Sequence, residues 1–180
     1  MPGEAAKRFM YPSTVALEAL ARASAAAAKA RAAALDLSIY ASFRVDRRRT
    51  LAQYVTLLRP IDKDLLTGLL IGLDGALKAA GEAVEAITAY ESIVEGVARN
   101  SGVRGADRLA RTSKALLLRY KALAAARVRL GAAYAELLRN PQDTGPAIDA
   151  IRKALNFGLY APVAVEEITE VARELGLLGR

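Results

Sequence analysis

Arginine and lysine are the residues of this sequence whose type and spacing could do chemistry, and they are concentrated in two stretches. Residues 1–60 hold ten basic and four acidic side chains, and residues 99–140 hold ten basic and two acidic ones, whereas residues 61–98 are acidic. Three of the arginines, Arg47–Arg49, are adjacent, so on a helix they would point in directions spread over about 200° and could not all be paired within the chain. The candidate sites for a polyanion are Arg22, Lys29, Arg31, Arg44, Arg47, Arg48, Arg49, Arg104, Arg108, Arg111, Lys114, Arg119 and Lys121.

The spacing of these cations fits the binding of phosphates. Arg22 and Lys29 are seven residues apart on one helical face, with Arg31 nearby, and Arg104, Arg108 and Arg111 share a stripe. Double-stranded DNA carries one charge per ~1.7 Å of axis, and neutralising its phosphates releases counterions. We therefore expect nucleic acid as the partner, with double-stranded DNA favoured and contacts that ignore base sequence.

Other partners for the same cations stay open. They could form a solvated face, or pair with carboxylates of residues 61–98 in the same subunit or a neighbouring one. An anionic membrane surface is the weakest alternative, because the basic stretches have no Trp and few Phe. The acids available for pairing are Asp74, Glu82, Glu85, Glu91 and Glu95.

Composition argues against most kinds of catalytic site. The chain has no Cys and no His, which excludes disulfides, thiolate nucleophiles and metal sites that use these ligands. It also lacks the commonest acid–base residue, a P-loop and a glycine-rich dinucleotide motif. We predict a protein that is not an enzyme, with no cofactor, no metal and no small-molecule substrate.

Helix-forming residues dominate, with 39 Ala and 26 Leu among 180 residues. We predict a single all-α domain over residues 1–180, arranged as a helical bundle. A long basic helix covers 12–59, capped near Thr14 and bent, if at all, near residue 45. An antiparallel helix pair covers 61–139, with Asp107 capping its second member. A C-terminal helical hairpin covers 146–177 and is divided before Pro162.

Three apolar patterns predict how the helices pack. The first helix has 11 Ala among residues 19–34, which allows close approach either to a phosphate backbone or to another helix. Small residues recur every four positions in the second helix and favour core packing over dimerisation. Leucines recur every seven positions in the third and favour a seam packed on the first two helices of the bundle over a zipper. The two series are Gly68, Gly72, Ala76, Ala80 and Leu109, Leu116, Leu123, Leu130, Leu137.

Two resemblances add expectations. Residues 130–154 resemble one tetratricopeptide repeat, through Leu130, Gly131 and Tyr134 followed by Ala147 and Ile151, which implies a helical hairpin there. The Ala- and Arg-rich helices, the missing Cys and His and the long first helix are similar to virion proteins of filamentous and helical-nucleocapsid viruses of hyperthermophilic archaea. That resemblance implies an oligomer or helical assembly that wraps a genome, and it supplies no site residues.

Location is predicted from two absent patterns. The longest apolar stretch, Leu65–Leu73, ends at Asp74 and is too short to span a bilayer. The first 14 residues contain no apolar core of a signal peptide. We expect no membrane span, no secretion through a signal peptide, and a place in the cytoplasm or within a virion. Only 3 Asn and 2 Gln, with 19 Arg against 7 Lys, favour a thermophilic source.

Overall fold

The computed structural model describes residues 3–41, 60–102 and 105–178, with side chains from residue 13 onward. Within these ranges the chain forms helices and no strand, which confirms the all-α prediction. The five helices are α1 (Gly3–Tyr40), α2 (Lys63–Ser101), α3 (Ala106–Ala132), α4 (Tyr134–Arg139) and α5 (Gly145–Glu174).

The four long helices pack in a ring. α1 packs against α2 and α5, α3 packs against the same two helices, and α2 also contacts α5. Neighbours run antiparallel: Lys29 and Tyr40 of α1 bond to Glu82 and Asp64 of α2, so rising numbers on one helix meet falling numbers on the other. α1 and α3 therefore occupy opposite corners of the bundle.

The leucine series of α3 lies inside this bundle. Leu109, Leu116, Leu123 and Leu130 are all buried in a single core with α2 and α5, and Leu137 continues the series in α4. The prediction that the leucines pack inside the bundle is confirmed, because all of them are buried. The predicted packing partners are partly wrong, because α3 packs on α2 and α5 and not on α1.

Small residues set the close packing around α1. A Cβ added to Gly68 would collide with the Tyr40 ring, and one added to Gly72 would lie 2.6 Å from Leu37 Cδ1. The small-residue series of α2 is thus a core contact, as predicted. On the other side of α1, a Cβ on Gly158 would lie 2.8 Å from Ala34 Cβ and 3.0 Å from the Ala30 carbonyl oxygen. The alanine tract packs closely against helices of its own chain.

The predicted start of the first helix is wrong. α1 begins at Gly3 and not near Thr14, because residues 4–10 are strong helix formers and Pro12 removes one hydrogen bond without ending the helix. α1 ends at Tyr40, where the side-chain hydroxyl donates to the Asp64 carbonyl oxygen (3.3 Å) and fixes the helix end against α2. The predicted bend near residue 45 and the end at Arg59 lie outside the described residues.

The predicted limits of the next helices also need correction. Asp62 caps α2 by accepting from the Leu65 N–H (2.7 Å). Asp107 lies in the first turn of α3 and does not cap it, because the helix already starts after Gly105. Gly105 lies so close to Val171 that a side chain at this position would not fit. The predicted helix to Arg139 is interrupted at Ala133, after Gly131 weakens its last turn.

The predicted C-terminal hairpin of two short helices is wrong, because α5 runs unbroken through Pro162. A proline inside a helix costs about 3 kcal/mol. Burial of Phe157, Ala161, Ala164 and Val165 around it offsets that cost, since α5 contacts three other long helices. A hairpin does exist where the repeat-like residues 130–154 predicted one, but its second member is this 30-residue helix.

Candidate functional site

The predicted cations fall into three groups, of which the structure describes two. Arg44, Arg47, Arg48, Arg49 and Arg104 lie outside the described residues. Two groups are described, on helices at opposite corners of the bundle. The structure therefore does not bring the two described groups together. These are Arg22, Lys29 and Arg31 on α1, and Arg108, Arg111, Lys114, Arg119 and Lys121 on α3.

The cations of α1 are split between its two flanks. Lys29 Nζ lies 3.0 Å from Glu82 Oε2 on the α2 side. Arg31 lines a groove with Pro162 and Val165 on the α5 side. Arg22 is exposed and lies half a turn from Arg31 around the helix axis. The outward surface between the two flanks is formed by Ala21, Ala25, Ala28 and Ala32.

Several cations of α3 are neutralised by neighbouring helices. Arg108 pairs with Glu170 of α5, and Arg129 pairs with Asp149 of the same helix at 3.3 Å. Arg127 holds Asp74 of α2 with two hydrogen bonds of 2.8 and 3.1 Å. Pairing with carboxylates of residues 61–98, one of the alternatives drawn from the sequence, is therefore observed for Arg127, whereas Arg108 and Arg129 pair with α5.

Arg119 is held against α5 without an ion pair among the described residues. Its guanidinium carbon lies 3.9 Å from the centre of the Tyr160 ring, and its Nε donates to Asn156 Oδ1 at 3.3 Å. A second hydrogen bond reaches the Ala115 carbonyl oxygen at 3.1 Å. These contacts satisfy the guanidinium locally, so Arg119 stabilises the α3–α5 packing more than it offers charge to solvent.

Three cations remain exposed on the outward face of α3. Arg111, Lys114 and Lys121 form no ion pair with any residue in the described part of the chain. They lie within about 80° of the helix circumference and span about 15 Å along it. We call these three residues the α3 basic strip. Leu118 and Val128, 58% and 70% exposed, lie on the same face.

A polar pocket of about 300 Å³ adjoins the strip between α3 and α5. The Thr112 hydroxyl donates to Glu167 Oε2 at 2.7 Å, and the Tyr160 hydroxyl approaches the same oxygen at 3.5 Å. Burial raises the pKa of Tyr160, and the Glu167 carboxylate raises it further. Thr112 is only 3% exposed, so its hydroxyl serves helix packing and is not open to a substrate. Arg108 and Arg111 form the basic rim.

Sequence reasoning did not select Tyr160 and Glu167 for this pocket. Both lie on α5 and reach α3 only because the two helices pack antiparallel. A spacing of seven residues places them on one face of a helix, but that spacing gives no sign of which helix they meet. The pocket could be predicted only with the knowledge that α3 packs against α5, which the sequence does not give.

Glu91 is a buried carboxyl on the α2 face that meets α3. It is 6% exposed, and burial raises its pKa above the ordinary value of 4.5. The nearby Glu95 raises the pKa of Glu91 further. Glu91 is therefore a group of the helix contact whose charge is unfavourable in the folded state.

Neither a metal centre nor a membrane span is found in residues 3–41, 60–102 and 105–178. No group of three or more carboxylates there is arranged to hold a metal ion. None of the helices in those ranges combines the length and the apolar character that crossing a bilayer requires. No protein-family model matches the chain, no curated protein is significantly similar in sequence, and no solved structure matches the fold.

Proposed function

We propose that this chain is a non-enzymatic structural protein that binds and coats nucleic acid without sequence specificity, acting as an oligomer. The observation that carries the proposal is the α3 basic strip. Arg111, Lys114 and Lys121 share one outward face, and no carboxylate among the described residues neutralises them. A row of exposed cations on a rigid helix fits phosphates, which carry no base-sequence information.

The small size of the strip supports coating by many subunits. Three phosphate contacts give a slope of about −2.7 for log affinity against log salt on duplex DNA, which is weak binding for a single subunit. Several subunits on one nucleic acid multiply that affinity through effective concentration. Double-stranded DNA is the proposed form, since its charge spacing of ~1.7 Å offers several phosphates to a 15 Å strip.

The biological setting is proposed from composition and helix layout. The similarity to virion proteins of filamentous and helical-nucleocapsid archaeal viruses suggests a nucleocapsid or capsid role. The protein would then work in the cytoplasm of its host and within the virion. Exposed basic and alanine-rich surfaces support this setting.

A second candidate is a helical adaptor that binds an acidic protein partner. The observation that favours it is the exposed apolar side chains on the basic face of α3. Leu117, Leu118 and Val128 are between 40% and 70% exposed and lie near the strip. An amphipathic acidic helix would bury these side chains and neutralise the cations at the same time, whereas a phosphate backbone would leave the apolar atoms in water.

Fluorescence anisotropy with labelled duplex DNA and duplex RNA, measured across a salt series, tests the proposal. We expect binding to both at low salt, independent of sequence, with affinity that falls steeply as salt rises. Electron microscopy of the complex should show coated nucleic acid. No binding at low salt would contradict the proposed function, and filaments formed without nucleic acid would favour the adaptor.

A further inference from the structure

An apolar trough of about 510 Å³ runs along the surface between α1 and α2. Its floor is formed by the small residues Gly68, Gly72, Gly75 and Ala76 of α2. A Cβ added to Gly75 would meet nothing within 4 Å, so the trough is open above this position. Tyr40 already covers Gly68 and Leu37 covers Gly72, so the floor is open to a second helix only beside Gly75, where the small residue allows close approach.

Large apolar side chains stand exposed around the trough. Ile71 lines it and is 68% exposed, and Tyr40 lines it and is 48% exposed. Grouped apolar exposure of this kind is typical of a protein contact surface, whereas single exposed residues are ordinary.

The charges on the α1 rim of the trough indicate what covers it. Lys29 and Asp36 line the trough seven residues apart on one flank of α1, and they have opposite signs. Asp36 is exposed and forms no ion pair with a described residue. The midpoint between them falls between Ala32 and Ala33, so the helix is thin where a second helix would cross it.

We propose that a second copy of this chain covers the trough, with its α1 antiparallel to the first α1 across a two-fold axis between Ala32 and Ala33. The two-fold brings Lys29 opposite Asp36 of the partner subunit and Asp36 opposite Lys29 of the partner subunit. This rim is self-complementary only in the antiparallel arrangement, since a parallel pairing in register places like charges together. Two-fold contacts are the commonest in homo-oligomers.

The existing ion pair of Lys29 is compatible with this contact. Lys29 and Glu82 are both well exposed, with side chains 65% and 44% accessible. A lysine ammonium has three donors, so Lys29 can bond to Glu82 and to Asp36 of the partner subunit together. Pairing at this corner leaves α3 free, because α1 and α3 lie at opposite corners of the bundle. The two basic strips of the dimer then face outward.

This inference rests on the self-association part of the proposed function and needs no nucleic acid. Light scattering coupled to gel filtration, without nucleic acid, should show a dimer for the natural sequence. Lys29→Glu and Asp36→Lys should each give a monomer, because each places two like-charged pairs at the contact. An equimolar mixture of the two variants should give a heterodimer, and K29D/D36K should restore the dimer.

Control variants separate this contact from general effects of charge and folding. Glu85→Lys makes the same kind of charge change on an exposed α2 residue that does not line the trough, and it should leave the dimer intact. Ile71→Ser should weaken dimerisation, whereas Leu118→Ser on α3 should not. Circular dichroism establishes that each variant is folded. A monomeric natural protein would overturn the inference, and so would folded single variants that both remain dimeric.

DNA binding by the same variants distinguishes the failure of this inference from the failure of the proposed function. If the protein binds DNA but its dimerisation does not depend on these charges, the two-fold contact is wrong and the proposed role of the α3 basic strip is unaffected. If dimerisation responds to the charge changes as expected but the protein does not bind DNA, the proposed function is wrong and the two-fold contact is unaffected.

Discussion

α1 and α3 occupy equivalent corners of one bundle, each packed on α2 and α5, yet they are built from different residues. α3 buries leucines toward its neighbours, whereas α1 buries Ala23, Ala27, Ala30 and Ala34, the last two opposite Gly158 of α5. α1 thus gains less from hydrophobic burial per residue and more from close contact. The two helices reach the same packed position by large side chains in one case and short backbone distances in the other.

The same two helices also differ in how they use positive charge. The cations of α1 lie on separate flanks, with Lys29 already paired to Glu82. On α3, Arg108, Arg127 and Arg129 form ion pairs with neighbouring helices, and the three exposed cations of the α3 basic strip lie on one face. The number of basic residues in a helix is therefore a poor guide to a binding surface. Their angular positions and their intramolecular partners decide which side of the molecule presents charge.

The largest expected effect comes from removing a core leucine of α3. Leu123→Ala should lower the free energy of unfolding by about 2–5 kcal/mol, because it leaves a cavity in the core. The matched change in α1 is Ala27→Gly, at an equally buried position, and should cost about 1 kcal/mol through helix propensity. Urea denaturation measures both. If both variants lost the same free energy of unfolding, the distinction between the leucine packing of α3 and the alanine packing of α1 would be wrong.

A smaller effect tests the close contact of α1. Gly158→Ala should destabilise the protein by about 1–3 kcal/mol, because the new methyl group meets the Ala30 carbonyl oxygen and the Arg31 Cα, which cannot move aside. Gly96→Ala is the control, since it lies in α2 outside the trough, its methyl group meets open space, and it should stabilise α2 by about 0.4–1 kcal/mol. Thermal unfolding of both variants should move in opposite directions. Stabilisation by both would show that α1 and α5 are not in close contact.

The smallest effect concerns pH at the α2–α3 contact. Burial raises the pKa of Glu91 in the folded state. The free energy of unfolding is therefore highest below the pKa that Glu91 has in the unfolded chain, and it falls as pH rises through the folded-state pKa. Glu91→Gln removes that loss, so the variant should be more stable than the natural protein at neutral pH, with the difference shrinking under acid. Denaturation midpoints at several pH values measure it. A variant less stable at neutral pH would mean that Glu91 is favourably ionised.

The sequence predicted those parts of the fold that depend on local periodicity. The spacing of the leucines from Leu109 and of the small residues from Gly68 correctly identified core faces. Pro162 was misjudged because a local helix-breaking preference was overcome by packing on three sides. The candidate site was only partly predictable. Arg111 and Arg127 look alike in sequence, and only the pairing of helices places Asp74 beside one of them.

The most direct test of the central claim, that α3 and not α1 presents the nucleic-acid surface, compares two variants with equal charge loss. Arg111→Gln with Lys114→Gln removes two cations of the strip, and Arg22→Gln with Arg31→Gln removes two from α1. Anisotropy titrations with one duplex DNA across a salt series measure the slope of log affinity against log salt. The strip variant should lose about 1.8 of that slope, while the α1 variant keeps it. Equal changes in the two variants, or a larger change in the α1 variant, would contradict the account.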